Sequence, residues 1–311
     1  MSLFKSPSQL TSESTIKCLI YGQPGIGKST IALSAPQPVL LDFDGGVNRV
    51  NKAFQCPTLQ VENWEQVLAA LEELKQGAVP CKSIVIDTAG KMLDYMSDYI
   101  MRNDSRMKMR DGSLALKGYG TRKIMFTNFL REVTLMGKNV VFVAHEKEDK
   151  DGEIRIVRPE MSGSSLGDLL KELDLVGYMQ ANGAERAVYW SPQERFYAKN
   201  TCNLPQYMKV PQLINEQGAI TGNNDFLATI FSGYQTYLAQ QNEIAVNYNK
   251  LLDDIKATLE KATDAKTINK AMKDILAMEH IWDSKARASR LLADRAKELK
   301  LKFDATKKCY A

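Results

Sequence analysis

Up to about Asn200 the chain alternates between short apolar runs and longer segments whose apolar residues recur every three or four positions. The runs cover residues 17–21, 38–43, 58–61, 83–87 and 139–144, and the helical-period segments cover 28–34, 64–75, 91–101 and 121–136. Such alternation predicts an α/β fold: a mostly parallel, twisted sheet with helices on both faces. After His145 the pattern changes. Residues 146–158 alternate around Asp149-Lys150-Asp151-Gly152, which predicts a hairpin or excursion. Residues 186–199 predict a second hairpin, turning at Ser191-Pro192-Gln193-Glu194 and closing with a strand over 195–199. From Phe226 onward the pattern is helical, carried by Leu251, Leu252, Ile255 and Leu259, then Ile268, Met272, Ile275 and Leu276, then Leu291, Leu292 and Leu299. Breaks are expected at Thr263-Asp264 and Trp282-Asp283. The expected organisation is a polar, loose arm over 1–14, an α/β core over 15–225 and an appendage of two or three helices over 226–311.

Between the first run and the first helical segment stand Gly22, Gln23, Pro24, Gly25, Ile26, Gly27, Lys28 and Ser29, followed by Thr30. This is G-x-x-x-x-G-K-S, the Walker A phosphate loop, in the strand–loop–helix setting that it requires. Glycines let the backbone wrap a phosphate with its N–H groups pointing inward. Lys28 is expected on the β- and γ-phosphates and Ser29 on Mg²⁺. Residues 83–88, Ser-Ile-Val-Ile-Asp-Thr, read as the Walker B partner, with Asp87 holding Mg²⁺. The implied ligands are ATP and Mg²⁺. No N-K-x-D sequence is present to select guanine, so ATP is preferred to GTP by default.

Composition narrows the class without naming a substrate. The 311 residues are 44% hydrophobic and 25% charged, an ordinary globular balance, enough for one large core plus an appendage. A net charge of +4 is too mild to argue for nucleic acid by itself. Five widely spaced cysteines with no C-x-x-C suggest neither a disulfide framework nor a zinc site, and fit a reducing cytoplasm. The first fourteen residues hold no apolar signal core, and no apolar run is long enough for a bilayer, so no membrane partner is expected.

Thr88, rather than Glu, follows Asp87, so the catalytic Glu that AAA-plus proteins usually carry there is missing. Asp42 and Asp44 end the second apolar run beside Gly45-Gly46, and alternation puts both on one strand face. A carboxylate near a γ-phosphate can orient water and take its proton. His145 ends the run 139–144, at the edge where parallel sheets bind ligands.

This order of motifs resembles the RecA-like core, and looks most like the phage recombination ATPases of the Sak type, an annealing and recombinase family. The resemblance covers about residues 16–200. It rests on residues 22–29, Leu41–Gly46, Ile84–Thr88, Ala144-His145-Glu146-Lys147 and Phe196-Tyr197-Ala198-Lys199-Asn200. It implies that Asp44, with Asp42 as runner-up, polarises the attacking water, that His145 senses the γ-phosphate, and that Lys199 reaches a neighbouring subunit's γ-phosphate. It also implies a DNA-stimulated ATPase acting on single-stranded DNA as a ring or filament of identical subunits, in a bacterial host's cytoplasm, with a single-strand-binding protein as a candidate partner.

Charge placement bears on the DNA expectation. Arg102, Arg106, Lys108, Arg110, Lys117, Arg122 and Lys123 face only Asp104 and Asp111, a balance of +5 over residues 101–123. Gly112, Gly118 and Gly120 make the segment loop-like, and Tyr119 could stack on a base, the combination that grips single strands. Residues 284–311 carry +6, nine basic against three acidic, which suits DNA, a partner or a solvated helix face. Three other classes stay open: a non-hydrolysing, nucleotide-gated DNA or partner binder, an AAA-plus helicase loader, and a P-loop kinase for a small metabolite.

Overall fold

The computed structural model describes residues 15–151 and 154–311; the expected N-terminal arm over 1–14 lies outside the described residues. Two compact units are described, Thr15–Tyr234 and Gln235–Ala311.

In the first unit the strands are β1 (Lys17–Gly22), β2 (Pro38–Asp42), β3 (Thr58–Gln60), β4 (Ser83–Asp87), β5 (Asn139–Asp151), β6 (Ile154–Pro159), β7 (Leu175–Asn182), β8 (Glu185–Tyr189), β9 (Lys199–Asn200) and β10 (Tyr207–Lys209). The helices are α1 (Lys28–Ala32), α2 (Trp64–Lys75), α3 (Ala89–Asn103), α4 (Leu116–Leu135), α5 (Ser165–Glu172) and the start of α6 (Phe226–Glu260). The sheet order is β10-β8-β7-β1-β5-β4-β2-β3, with β6 paired to β5 and β9 to β7. From β7 to β3 every neighbour is parallel, and β8, β10, β6 and β9 are antiparallel additions. This is the α/β arrangement expected from the sequence, a mostly parallel sheet followed by C-terminal helices.

The parallel strands alternate faces, as buried strands must. Leu19, Tyr21, Leu41, Ile84, Ile86, Val140 and Phe142 point to one side, where α2, α3, α4 and α5 bury Trp64, Leu71, Met92, Phe126 and Leu169. Cys18, Ile20, Leu40, Val85, Val141 and Val143 point to the other, against Ile31 of α1 and Phe226, Leu227, Ile230 and Phe231 of α6. The first turns of α6 therefore belong to the sheet's core, and the unit boundary falls after Tyr234, inside the helix.

Gln235–Ala311 has its own core. The rest of α6, α7 (Ala265–Leu276) and α8 (Ser284–Glu298) enclose Ile255, Leu259, Ile268, Ile275, Ala288 and Leu292, and β11 (Phe303–Asp304) pairs β12 (Cys309–Tyr310). Both expected breaks occur. Asp264 caps α7 by a reciprocal pair of bonds with Thr267, and Asp283 precedes α8.

Three local expectations are corrected. The second hairpin is β7–β8, turning at Gly183-Ala184: β7 is buried over Leu175–Met179 and runs on, exposed, through Asn182 to pair with β8. The segment 195–199 is not a strand: Phe196 makes isolated bridges and only Lys199–Asn200 pairs, with β7. The basic segment is not one loop either. α3 runs through Asn103 and α4 starts at Leu116, so Lys117, Tyr119, Arg122 and Lys123 are helical. Gly118 lies inside α4, where a β-carbon would sit 2.5 Å from Leu114 Cδ1.

Candidate functional site: the phosphate loop and the sheet edge beside it

The register explains why residues far apart in sequence meet. β5 lies between β1 and β4, pairing Gly22 with His145, while β2 and β4 pair Asp42 with Asp87. Where the parallel pairing of four strands ends, the phosphate loop, His145, Asp87 and the Asp42–Asp44 turn stand side by side; His145 does not end its strand as expected, because β5 runs on to Asp151 in the hairpin with β6.

The loop itself is fixed by steric necessity. A β-carbon on Gly22 would stand 2.4 Å from Met179 O of β7, so only glycine lets β1 turn there. Gly27 opens α1 at φ +100°, in the left-handed region. Lys28 is almost wholly buried, and its Nζ donates to Gln23 O at 2.7 Å and stands 3.4 Å from His145 Nδ1. Burial lowers its pKa, against the opposing pull of Asp87, Glu146 and Asp44. Its close partners are a carbonyl and an imidazole rather than a carboxylate, so the ammonium keeps its charge for an anion.

Ser29 Oγ donates to Asp87 Oδ2 at 2.5 Å. Burial raises the Asp87 pKa, Ser29 lowers it, and Asp42 and Asp44 raise it. A hydroxyl and a carboxylate of this kind are hard oxygen donors suited to Mg²⁺. No group of three or more candidate metal ligands exists among the described residues, so phosphate and water oxygens would have to complete the ion's shell.

Asp42 and Asp44 part company. Asp42 is buried, and its carboxylate accepts from the backbone N–H groups of Asp44 (3.2 Å), Gly46 (3.0 Å) and Val47 (3.1 Å). It clips the turn that follows β2. Asp44 is half-buried, with Oδ2 3.8 Å from His145 Nε2 and 3.3 Å from Arg49 Nη2. Lys28, His145, Asp44 and Arg49 therefore form one continuous line of polar groups. Sequence reading missed Arg49. Its signal was spacing: a short 3-10 turn over Gly46–Arg49 brings it back to Asp44, five residues earlier.

Beside the loop is a cavity of about 410 Å³, lined by Gly25, Gly27, Thr30, Arg49, Phe54 and Leu213, among others. Thr30 O accepts from Asn224 Nδ2 at 2.8 Å.

Other predicted residues lie elsewhere. Lys199 Nζ donates to the carbonyls of Leu170 (3.1 Å) and Lys171 (3.4 Å), at the C-terminal end of α5. Within its own chain it therefore caps a helix. Arg102 pairs with Glu65 at 2.9 Å and Arg106 with Asp104 at 2.9 Å. Arg122 is buried, donates to Ser97 Oγ at 3.1 Å and lies 4.9 Å from the Tyr119 ring centroid. Lys108, Arg110 and Lys117 are exposed and make no ion pair among the described residues. No helix among the described residues is long and apolar enough to cross a membrane.

A phosphate loop between β1 and α1, faced across β5 by a strand ending in Asp87, defines a P-loop NTPase. Residues 14–202 match the family model described as an AAA domain, and the chain belongs to that family. No curated protein matches it. Among solved structures it is similar to one titled "Crystal structure of the RadB recombinase", at 14% identity over 65% of this chain and 89% of that one, with a TM-score of 0.35.

Proposed function

We propose that this chain is an ATPase that works on single-stranded DNA in recombination, annealing or repair of the phage Sak type. The observation that carries the reading is the meeting of Lys28, His145 and Asp44 beside the Ser29–Asp87 pair. ATP's triphosphate lies in the loop's backbone N–H groups against Lys28, and its nucleoside occupies the neighbouring cavity. Mg²⁺, when bound, neutralises phosphate charge. Ser29 and Asp87 are the residues that hold it.

Asp44 receives the proton of a water whose oxygen bonds to the γ-phosphorus. The bond from that phosphorus to the bridging oxygen breaks, and ADP leaves with its electron pair. His145 keeps Asp44 and Lys28 in register. Because Nδ1 faces an ammonium that only donates, the imidazole accepts there and carries its proton on Nε2, toward Asp44. DNA contact falls to Lys108, Arg110 and Lys117, with Tyr119 exposed nearby on α4, and subunits assemble as a ring or filament.

The deciding measurement is phosphate release with and without single-stranded DNA. Stimulated turnover supports the reading. Nucleotide binding with no hydrolysis in either condition would replace it with a nucleotide-gated binding module.

A further inference from the structure

Arg49 has no part in the reading above, yet it stands at the centre of the site. Its Nη2 donates to Asp44 Oδ2 at 3.3 Å. The same Nη2 and Asp87 Oδ2 flank the place where a Gly46 β-carbon would be, at 3.5 and 3.7 Å. Asp87 in turn accepts the Ser29 hydroxyl. Arg49 also lines the cavity that Gly25, Gly27 and Thr30 line. One guanidinium thus touches the candidate base, lies across Gly46 from the Asp87 carboxylate and shares a cavity wall with the phosphate loop.

The backbone that carries it is built, while the side chain is free to move. Asp42 clips the N–H groups of Gly46 and Val47, fixing the 3-10 turn that ends at Arg49. The Arg49 side chain is 70% exposed. An exposed Arg–carboxylate pair is weak and readily exchanged. A terminal phosphate offers more charge and a matching face for two parallel N–H donors, which guanidinium supplies and ammonium does not.

We propose that Arg49 is a phosphate-binding arginine supplied by the same chain. On nucleotide binding its guanidinium passes from Asp44 to the γ-phosphate, and the Asp44 carboxylate is left to the attacking water. The inference rests on the reading of this site as an ATP site.

The test is titration of Mg²⁺ with ADP, and of Mg²⁺ with the non-hydrolysable β,γ-imido analogue of ATP, into the full chain and its variants. Arg49→Ala should keep ADP affinity within about threefold and lose about tenfold or more for the triphosphate. Arg49→Lys should recover part of that loss. Arg49→Gln, close in length but uncharged, carries the test should Arg49→Ala melt early. In an Asp44→Asn background the arginine has no carboxylate to neutralise, so a direct phosphate contact predicts the same loss there. A triphosphate-to-diphosphate ratio that Arg49→Ala leaves unchanged overturns the proposal. So does a loss that vanishes in the Asp44→Asn background, since Arg49 would then only screen Asp44. If the unmodified chain binds neither nucleotide, the ATP-site reading fails and this inference falls with it. If it binds both and only the Arg49 variants behave as wild type, the ATP site stands without this arginine.

Discussion

Lys28 Nζ stands 3.4 Å from Nδ1 of His145, a residue 117 positions away in sequence. The contact exists because β5 is inserted between β1 and β4, so that the middle of this strand, where its parallel pairing with β1 ends, abuts the phosphate loop. Lys28 is one of the few buried charges in the sheet unit, and its depressed pKa shows that burial opposes its ionisation. Lys28→Met should therefore abolish nucleotide binding while leaving the nucleotide-free melting temperature unchanged or higher. Calorimetric titration and thermal melts check both halves; unchanged affinity in a folded variant would remove the lysine from the phosphate site.

Asp42 and Asp44 should respond oppositely. Asp44→Asn keeps nucleotide affinity and slows turnover by about a hundredfold, the usual scale for losing a positioned base. Asp42→Ala strands three backbone donors and should cost about 3 kcal/mol of stability. Turnover and chemical denaturation of both variants separate the roles. Normal turnover by Asp44→Asn sinks its assignment as the base.

Asp87 gives a pH signature. Its folded pKa is raised by burial above the ordinary 3.8, so the folded state keeps a proton that the unfolded chain releases. Stability in the absence of ligand then falls as pH rises through that window and stays lower at neutrality. Asp87→Asn should melt higher than wild type at pH 7, with the difference shrinking toward pH 3.8, while Mg²⁺-dependent nucleotide affinity is lost. Equal melting at both pH values would contradict the burial argument.

Lys199→Ala should lose about 1 kcal/mol through the α5 end that it caps. Mixing it with Asp44→Asn subunits tests the role across subunits implied by resemblance. Recovered turnover in the mixture supports that role, and none leaves Lys199 as a helix cap.

Neutralising Lys108, Arg110 and Lys117 together should weaken single-stranded DNA binding and reduce its log–log salt slope by about 2, at roughly 0.7 per phosphate contact. Arg106, already paired with Asp104, should matter less. An unchanged slope would take this segment out of the DNA site.

The features legible in sequence were local ones. A phosphate loop is written in eight consecutive residues, and Asp87 is announced by the apolar run before it. The division of labour between Asp42 and Asp44 was not legible, since alternation gives both the same strand face. Only the turn beyond, where Asp42 gathers three N–H groups and Asp44 does not, sets the two carboxylates apart. Glycine misled at Gly118, where close packing against Leu114 rather than a loop requires it. The helix-end contact of Lys199 depends on α5 and β9 meeting, which no local pattern encodes.

β5 is a single thirteen-residue strand that starts in the core at Asn139, passes His145 and ends at Asp151 in the β5–β6 hairpin. Its backbone is pinned to β1 and β4 below His145 and to β6 above, and the His145 carbonyl accepts from Glu160 N at 2.7 Å. A strand held on both sides cannot slip at one point and stay still at the next. Backbone movement at His145 would therefore have to carry its pairings with both β1 and β6, so a ligand that moved it would be linked to any ligand held by the hairpin, each changing the other's affinity by the same factor.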